Sequence, residues 1–373
     1  MTEAVRLAPL KRLAPSRFHA FSACRLREVF RASGIPRVLA APGAAHLGTV
    51  VHRLLERAAA AAVTASEAEA LFAQLVADEE TKMLESAAER GAVPLARSVR
   101  DFEVRKRRAI HAASEPKRAV QPRGPVRPGH ESRLRVGTEI WVESTDGIVG
   151  GYIDEVDAQA DGIVIRDHKT GAAARRGSEA FESARQQLQL YAALYAETTG
   201  TWPVRMEIVP VDGAPEAETV DQSACAALLA SARGAVEECN ALLVADPGRG
   251  GAQLACPAPP TCTQCEFRPL CAAYRRAREN SGDWPRDVIG TIQFSERLRN
   301  GTLLFRVEDD RGDLAIIRGI TDDRNAHQAL AVLHDGSRAA FFNLLGGRNG
   351  ASYAQSPRTM IVLMPDDQEP VDD

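Results

Sequence analysis

The 373-residue chain contains no apolar run approaching the ~18 residues that a membrane-spanning helix needs. Its first sixteen residues, MTEAVRLAPLKRLAPS, carry basic side chains but no continuous apolar segment behind them. No secretory leader is therefore expected, and the expected location is the cytoplasm. No internal repeat is evident. No glycine-rich phosphate loop ending in Gly-Lys-Ser/Thr is present, so the chain has no ATP-driven motor of its own. A dominant charge of one sign is missing too: the formal net charge is -4. What remains, 45% hydrophobic and 26% charged residues, is the balance of an ordinary globular protein, with length for roughly two or three domains.

Local features are more telling than the totals. Between Arg97 and Arg135 there are twelve Lys or Arg against four Asp or Glu, a stretch able to follow phosphates even in an acidic protein. The seven cysteines include four within residues 256–271. In a cytosolic chain that crowding favours metal ligation over disulfides. Apolar spacing predicts a helix opened by Ser16 and running past Cys24 and Leu26. Further helices are expected over 47–63, from a Ser66 cap to about 90, and over 95–113. Residues 116–129, with four prolines among basic residues, read as an irregular connection. Strands follow at 138–143, 150–157 and 162–168, then a helix over 178–199, a strand at 204–211 and a helix over 221–245. Five short strands between 288 and 363 point to a small β-rich domain, possible as an OB-like barrel, ahead of an acidic tail over 366–373.

Two strand segments carry chemistry: Gly151-Tyr152-Ile153-Asp154-Glu155-Val156-Asp157 and Ile163-Val164-Ile165-Arg166-Asp167-His168-Lys169-Thr170-Gly171. A tight turn joins them, so Asp154 can lie beside the end of the next strand. Asp167 and Lys169, two apart, share a strand face. Two carboxylates make a hard oxygen site suited to magnesium or manganese. A lysine beside them can orient or deprotonate a water, as phosphodiester hydrolysis requires. Alone, Asp-x-Lys reads first as a salt-bridged surface hairpin, because the pattern is common.

The longer string resembles the GxIDxxD…DxKTG signature of RecB-like nucleases in the PD-(D/E)XK superfamily. On that resemblance Asp154, Asp167 and Lys169 match the catalytic motif. Gly48-Thr49-Val50-Val51-His52 is similar to the family's GxxxH helix, whose histidine ligates metal. Gln187-Leu188-Gln189-Leu190-Tyr191 is similar to its QxxxY helix, which implies Gln187 and Tyr191 near the DNA backbone. Glu139 resembles the acidic residue of the first core strand. The implied ligands of Mg2+ or Mn2+ are His52, Asp154, Asp167 and the backbone carbonyl of His168.

Cys262, Cys265 and Cys271, in C-x2-C-x5-C spacing, lack a fourth ligand. Spacing alone favours Cys256 and a zinc site. The family resemblance favours Cys24 and a 4Fe-4S cluster of structural role. The expected architecture is α/β or α+β: a helical region over 1–130, a restriction-endonuclease-like core with a mixed sheet over 131–280, and the β-rich domain over 284–365. The expected activity is metal-dependent hydrolysis of DNA, exonucleolytic on single strands or ends, in repair, recombination or antiviral defence. A helicase or ATPase partner would do any unwinding. The alternative is a non-catalytic DNA-binding or scaffold subunit.

Overall fold

A computed structural model describes residues 7–61, 63–115, 135–169, 176–211, 214–245, 250–278, 283–346 and 351–364. The Pro-rich connection at 116–129, much of the basic stretch, Thr170, Gly171 and the acidic tail lie outside the described residues.

Helices come first. A single 3-10 turn, Pro15–Arg17, leads into α1 (Phe18–Ala23), and α2 (Arg25–Ala32) follows. Ser16 sits inside that turn and caps nothing. The single helix expected here is two, because Cys24 between them is extended (φ -159°, ψ 103°). Helix α3 (Gly43–Ala60) carries His52 and buries Leu47, Val50, Val51 and Leu54. Helix α4 (Ala65–Glu85) starts on Thr64, not Ser66. The Thr64 hydroxyl accepts from Glu67 N–H (3.3 Å), and the Glu67 carboxylate accepts from Thr64 N–H (2.8 Å), a reciprocal capping box. The helix expected over 95–113 is α5 (Leu95–Ser98) and α6 (Phe102–Ser114), parted at Asp101, whose φ of 58° leaves the helical region.

The mixed sheet follows. Strands β1 (Gly137–Glu143), β2 (Gly150–Gln159) and β3 (Gly162–Lys169) form an antiparallel meander. Helix α7 (Glu179–Thr199) crosses to β4 (Arg205–Pro210), which runs parallel to β3. Strand β5 (Glu216–Thr219), not evident from the sequence, pairs with the far edge of β4, and α8 (Gln222–Ala245) follows. The five strands lie in sequence order, with β1 and β5 at the edges.

Helix α7 is well punctuated. The Ser178 hydroxyl accepts from Phe181 N–H, Glu179 and Glu182 occupy the positive N-terminal turn, and Gly200 closes the helix with φ 76°, a conformation costly to side-chain-bearing residues. Its buried residues include Ala184, Gln187, Leu188, Tyr191, Leu194 and Tyr195 at i, i+3, i+4, i+7 spacing, and Leu190, Ala192 and Ala193 are buried as well.

After α9 (Gly250–Gln253), α10 (Pro259–Thr263) and α11 (Ala272–Ala277) come β6 (Val288–Arg297), β7 (Thr302–Asp309), β8 (Leu314–Thr321), β9 (Arg338–Phe342), β10 (Leu345–Gly346), β11 (Ser352–Ala354) and β12 (Met360–Leu363). All five expected strands are present. Together with two shorter ones they form a seven-stranded sheet ordered β10-β11-β8-β7-β6-β9-β12. One side buries Ile292, Phe305, Val307, Ile317 and Phe341.

The chain divides into two compact units. One comprises Met1–Ile35, Gly48–Leu75 and Val104–Cys256, and holds the five-stranded sheet. The other comprises Pro36–Leu47, Val76–Glu103 and Pro257–Asp373, and holds the seven-stranded one.

Candidate active site

Strand register aligns the acidic residues. Thr138 pairs with Glu155 and Ile140 with Ile153, which sets Glu139 opposite Asp154. Glu155 pairs with Arg166, which sets Asp154 beside Asp167. Glu139, Asp154 and Asp167 thus form one row across three adjacent strands. Glu139 takes φ 51°, sparsely populated by residues with a β-carbon and seen most often where a site over-determines the backbone. Its carboxylate lies 3.1 Å from His52 Nε2, while His52 Nδ1 lies 3.9 Å from Asp154 Oδ2.

One ligand atom each from His52, Glu139 and Asp154 falls within 4.8 Å of the other two. Beside them is a space of about 30 Å3, also lined by Glu155 and His168. Two carboxylate oxygens and an imidazole nitrogen are a fitting donor set for a borderline-hard divalent cation such as manganese. Among the described residues the cysteines join no group of this kind.

Asp167 is 1% exposed. Its Oδ1 accepts from Lys169 Nζ (3.0 Å) and Gln187 Nε2 (2.8 Å), and Lys169 Nζ also donates to Gln187 Oε1 (3.0 Å). Oδ2 is buried and has the Lys169 ammonium 2.7 Å away as its partner. Burial pushes the Asp167 carboxyl above its ordinary range; the Lys169 charge opposes this and Asp154 reinforces it. Burial also raises Tyr191, with Asp167 and Asp154 adding to the effect, so the phenol keeps its proton at neutral pH.

His168, expected to offer its carbonyl, uses its N–H to donate to Asp154 Oδ2 (2.8 Å), which orients that carboxylate. The His168 ring meets Glu155 at 3.2 Å, and Arg166 bridges Glu155 and Glu207 at 2.7 Å each. Glu155 is held down to about 2, chiefly by the hydrogen bond to His168, with burial opposing and Arg166 assisting.

A cavity of about 610 Å3 opens over this row, and Asp154, Asp167, Lys169, Gln187, Tyr191, His52 and Glu139 all line it. A second, of about 410 Å3, shares His52, His168, Lys169 and Gln187 with the first. The large cavity also has walls that motif reading passed over: Arg12, Arg17, Arg31, Trp141 and Tyr152. Arg12, Arg17 and Arg31 belong to no string, and Tyr152, inside the first quoted segment, was given no role. The available signal was that Trp141 and Tyr152 occupy the strands bearing Glu139 and Asp154, two residues away from each.

The cysteine loop is built around another side chain missed in the sequence. Arg268, 1% exposed, donates to the carbonyls of Cys262 (2.8 Å), Thr263 (3.2 Å) and Cys265 (3.4 Å). It also pairs with buried Asp287 through two nitrogens (2.9 and 3.2 Å), and Asp287 accepts from Tyr274 Oη (2.7 Å). Cys271 Sγ accepts from Tyr274 N–H at the start of α11. Cys262 packs in an apolar cluster with Tyr274, Ile289 and Phe342. Cys24 Sγ lies 4.0 Å from the Leu254 carbonyl, and Cys256 is exposed.

A sequence model described as the PD-(D/E)XK nuclease superfamily matches residues 12–272. No curated protein matches the chain. No helix among the described residues is long and apolar enough to cross a membrane.

Proposed function

The chain belongs to the PD-(D/E)XK nuclease superfamily, and from that premise we propose that it is a Mg2+- or Mn2+-dependent deoxyribonuclease acting on single strands or DNA ends. The observation that carries this reading is the row Glu139–Asp154–Asp167, flanked by His52 and Lys169 and open to one cavity.

His52, Glu139 and Asp154 would hold the cation, with Asp167 beside Asp154 on the next strand. The ion would offset charge on the scissile phosphate and acidify a bound water. Lys169, pinned by Asp167 and Gln187, presents an ammonium beside the carboxylates, where it can position the attacking water and offset developing charge. Gln187 spends its amide on Asp167 and Lys169, so its part is positioning rather than contact with DNA. Tyr191 stays a hydrogen-bond donor. His168 N–H steers Asp154.

The finer assignment, a RecB-like exonuclease with an iron–sulfur centre in repair, recombination or antiviral defence, rests on the order of motifs. In it Cys262, Cys265 and Cys271 are joined by Cys24, or by Cys256 if the ion is zinc. No catalytic step runs through a cluster. Metal analysis of anaerobically purified protein, with each cysteine changed to serine in turn, separates iron from zinc and names the fourth ligand. Single strands would come from a partner helicase in the cytoplasm.

The deciding experiment incubates the protein with end-labelled single- and double-stranded DNA, with and without manganese, beside Asp167→Ala. Cleavage that needs metal and vanishes in the variant supports the nuclease. DNA binding by folded protein without cleavage favours the scaffold-subunit alternative instead.

A further inference from the structure

Tyr152 stands out in β2. Its neighbours Gly151 and Ile153 are buried, yet its own ring is 54% exposed at the wall of the 610 Å3 cavity, two residues from Asp154. An exposed aromatic of that size would ordinarily be left mobile, but this one is braced. Trp141 is its register partner on β1, with ring centroids 4.8 Å apart and planes at 63°, an edge-to-face pair. The Arg12 guanidinium lies over the Trp141 ring at 4.9 Å, and is itself fixed by Glu143 (2.9 Å) and the Gly147 carbonyl (3.1 Å). The series Arg12–Trp141–Tyr152 is therefore pre-organised, and a partner stacking on Tyr152 loses little extra freedom.

The charges of the same cavity identify the partner. Apart from the carboxylates of the acidic row, its lining carries Arg12, Arg17, Arg31 and Lys169 against Glu28. Arg17 and Arg31 converge on that one carboxylate at 3.6 and 2.6 Å. A π face beside guanidinium groups is the pairing that nucleic-acid single strands engage, base on ring and phosphate on guanidinium. The cavity volume is that of a ligand pocket. A base inside a duplex has both faces covered and must be unstacked before it can reach Tyr152.

We infer that Tyr152, braced by Trp141 and Arg12, is the base-stacking platform of this cavity, and that it selects an unpaired DNA strand over duplex. This rests on the nuclease reading for the identity of the substrate, but its test does not require turnover.

Binding is measured by fluorescence anisotropy with calcium in place of manganese, using a single-stranded oligonucleotide and a blunt hairpin duplex. Tyr152→Ala and Tyr152→Phe are compared with the unaltered protein. The Ala variant is expected to weaken single-strand binding about tenfold, with Tyr152→Phe close to the unaltered protein and duplex binding changed less than twofold. A 2-aminopurine in the single strand is expected to be quenched by the unaltered and Phe proteins and not by the Ala variant. Equal loss on both substrates, quenching that survives in Tyr152→Ala, or no single-strand binding by the unaltered protein would overturn the inference. Metal-dependent cleavage that ignores Tyr152 would sink this proposal alone. Tyr152-dependent quenching without any cleavage would sink the nuclease reading and leave the platform standing.

Discussion

At the scale of single residues, Asp167 concentrates the conflict between stability and chemistry. It is a buried carboxylate held by Lys169 and Gln187. Replacing it with Asn keeps the shape and removes the charge. Asp167→Asn is expected to lower metal-dependent cleavage by on the order of 100-fold or more. Its melting temperature should match or exceed that of the unaltered protein, because burial already disfavours the charged form of Asp167. Calorimetry and a cleavage assay on one preparation check both halves; a large drop in melting temperature would show that Asp167 is structural. Glu155 behaves oppositely. Its folded-state pKa is depressed, from an ordinary 4.5 to about 2. The stabilisation is thus fully present above about 4.5 and fades as pH falls toward 2. Urea midpoints measured from pH 6 to 2.5 should decline, and Glu155→Gln should flatten that decline; an unchanged slope would discard the assignment.

At the scale of elements, α7 and the β1–β3 meander were legible because their signals are local. Ser178, the acidic first turn and Gly200 punctuate the helix, and alternation marks the strands. Three helices were drawn too simply. The break at Cys24, the break at Asp101 and the cap at Thr64 depend on single dihedrals or reciprocal hydrogen bonds that apolar spacing does not report. Strand β5 is short and polar and gains its structure from pairing with β4. Register shows how tightly an element can constrain a residue. A β-carbon on Gly290 of β6 would lie 2.0 Å from the Glu308 carbonyl oxygen and 2.6 Å from Asp309 Cα on β7. The obstruction is backbone, so Gly290→Ala should cost about 1–3 kcal/mol. Denaturant unfolding should show a lower midpoint, and an unaltered midpoint would mean the β6–β7 pairing can slide.

At the scale of the whole molecule, the two compact units interleave along the chain, each drawing on three separate stretches. The site row lies in the first unit, where helix α3 supplies His52 to strands nearly ninety residues further on. A cation that binds only the folded site must stabilise the fold by mass action. Manganese at about a hundred times its dissociation constant should add roughly 2.7 kcal/mol. That should appear as a raised melting temperature reversed by EDTA, and Glu139→Gln or His52→Ala should abolish most of the shift. An equal shift in all three proteins would place the bound ion elsewhere.

The amino-acid sequence by itself determined the mixed α/β class, the strands of both sheets save the shortest, and the candidacy of Asp154, Asp167, Lys169 and His52. Those follow from periodicity and from short strings in a fixed order, and both survive without coordinates. Tertiary structure alone decided the remainder. It set Glu139 into the acidic row, turned Gln187 onto Lys169, wrapped the cysteine loop around Arg268 and braced Tyr152 with Trp141 and Arg12. Each of those depends on strand register or on a contact between residues far apart in the chain, and such pairings leave no local pattern to read.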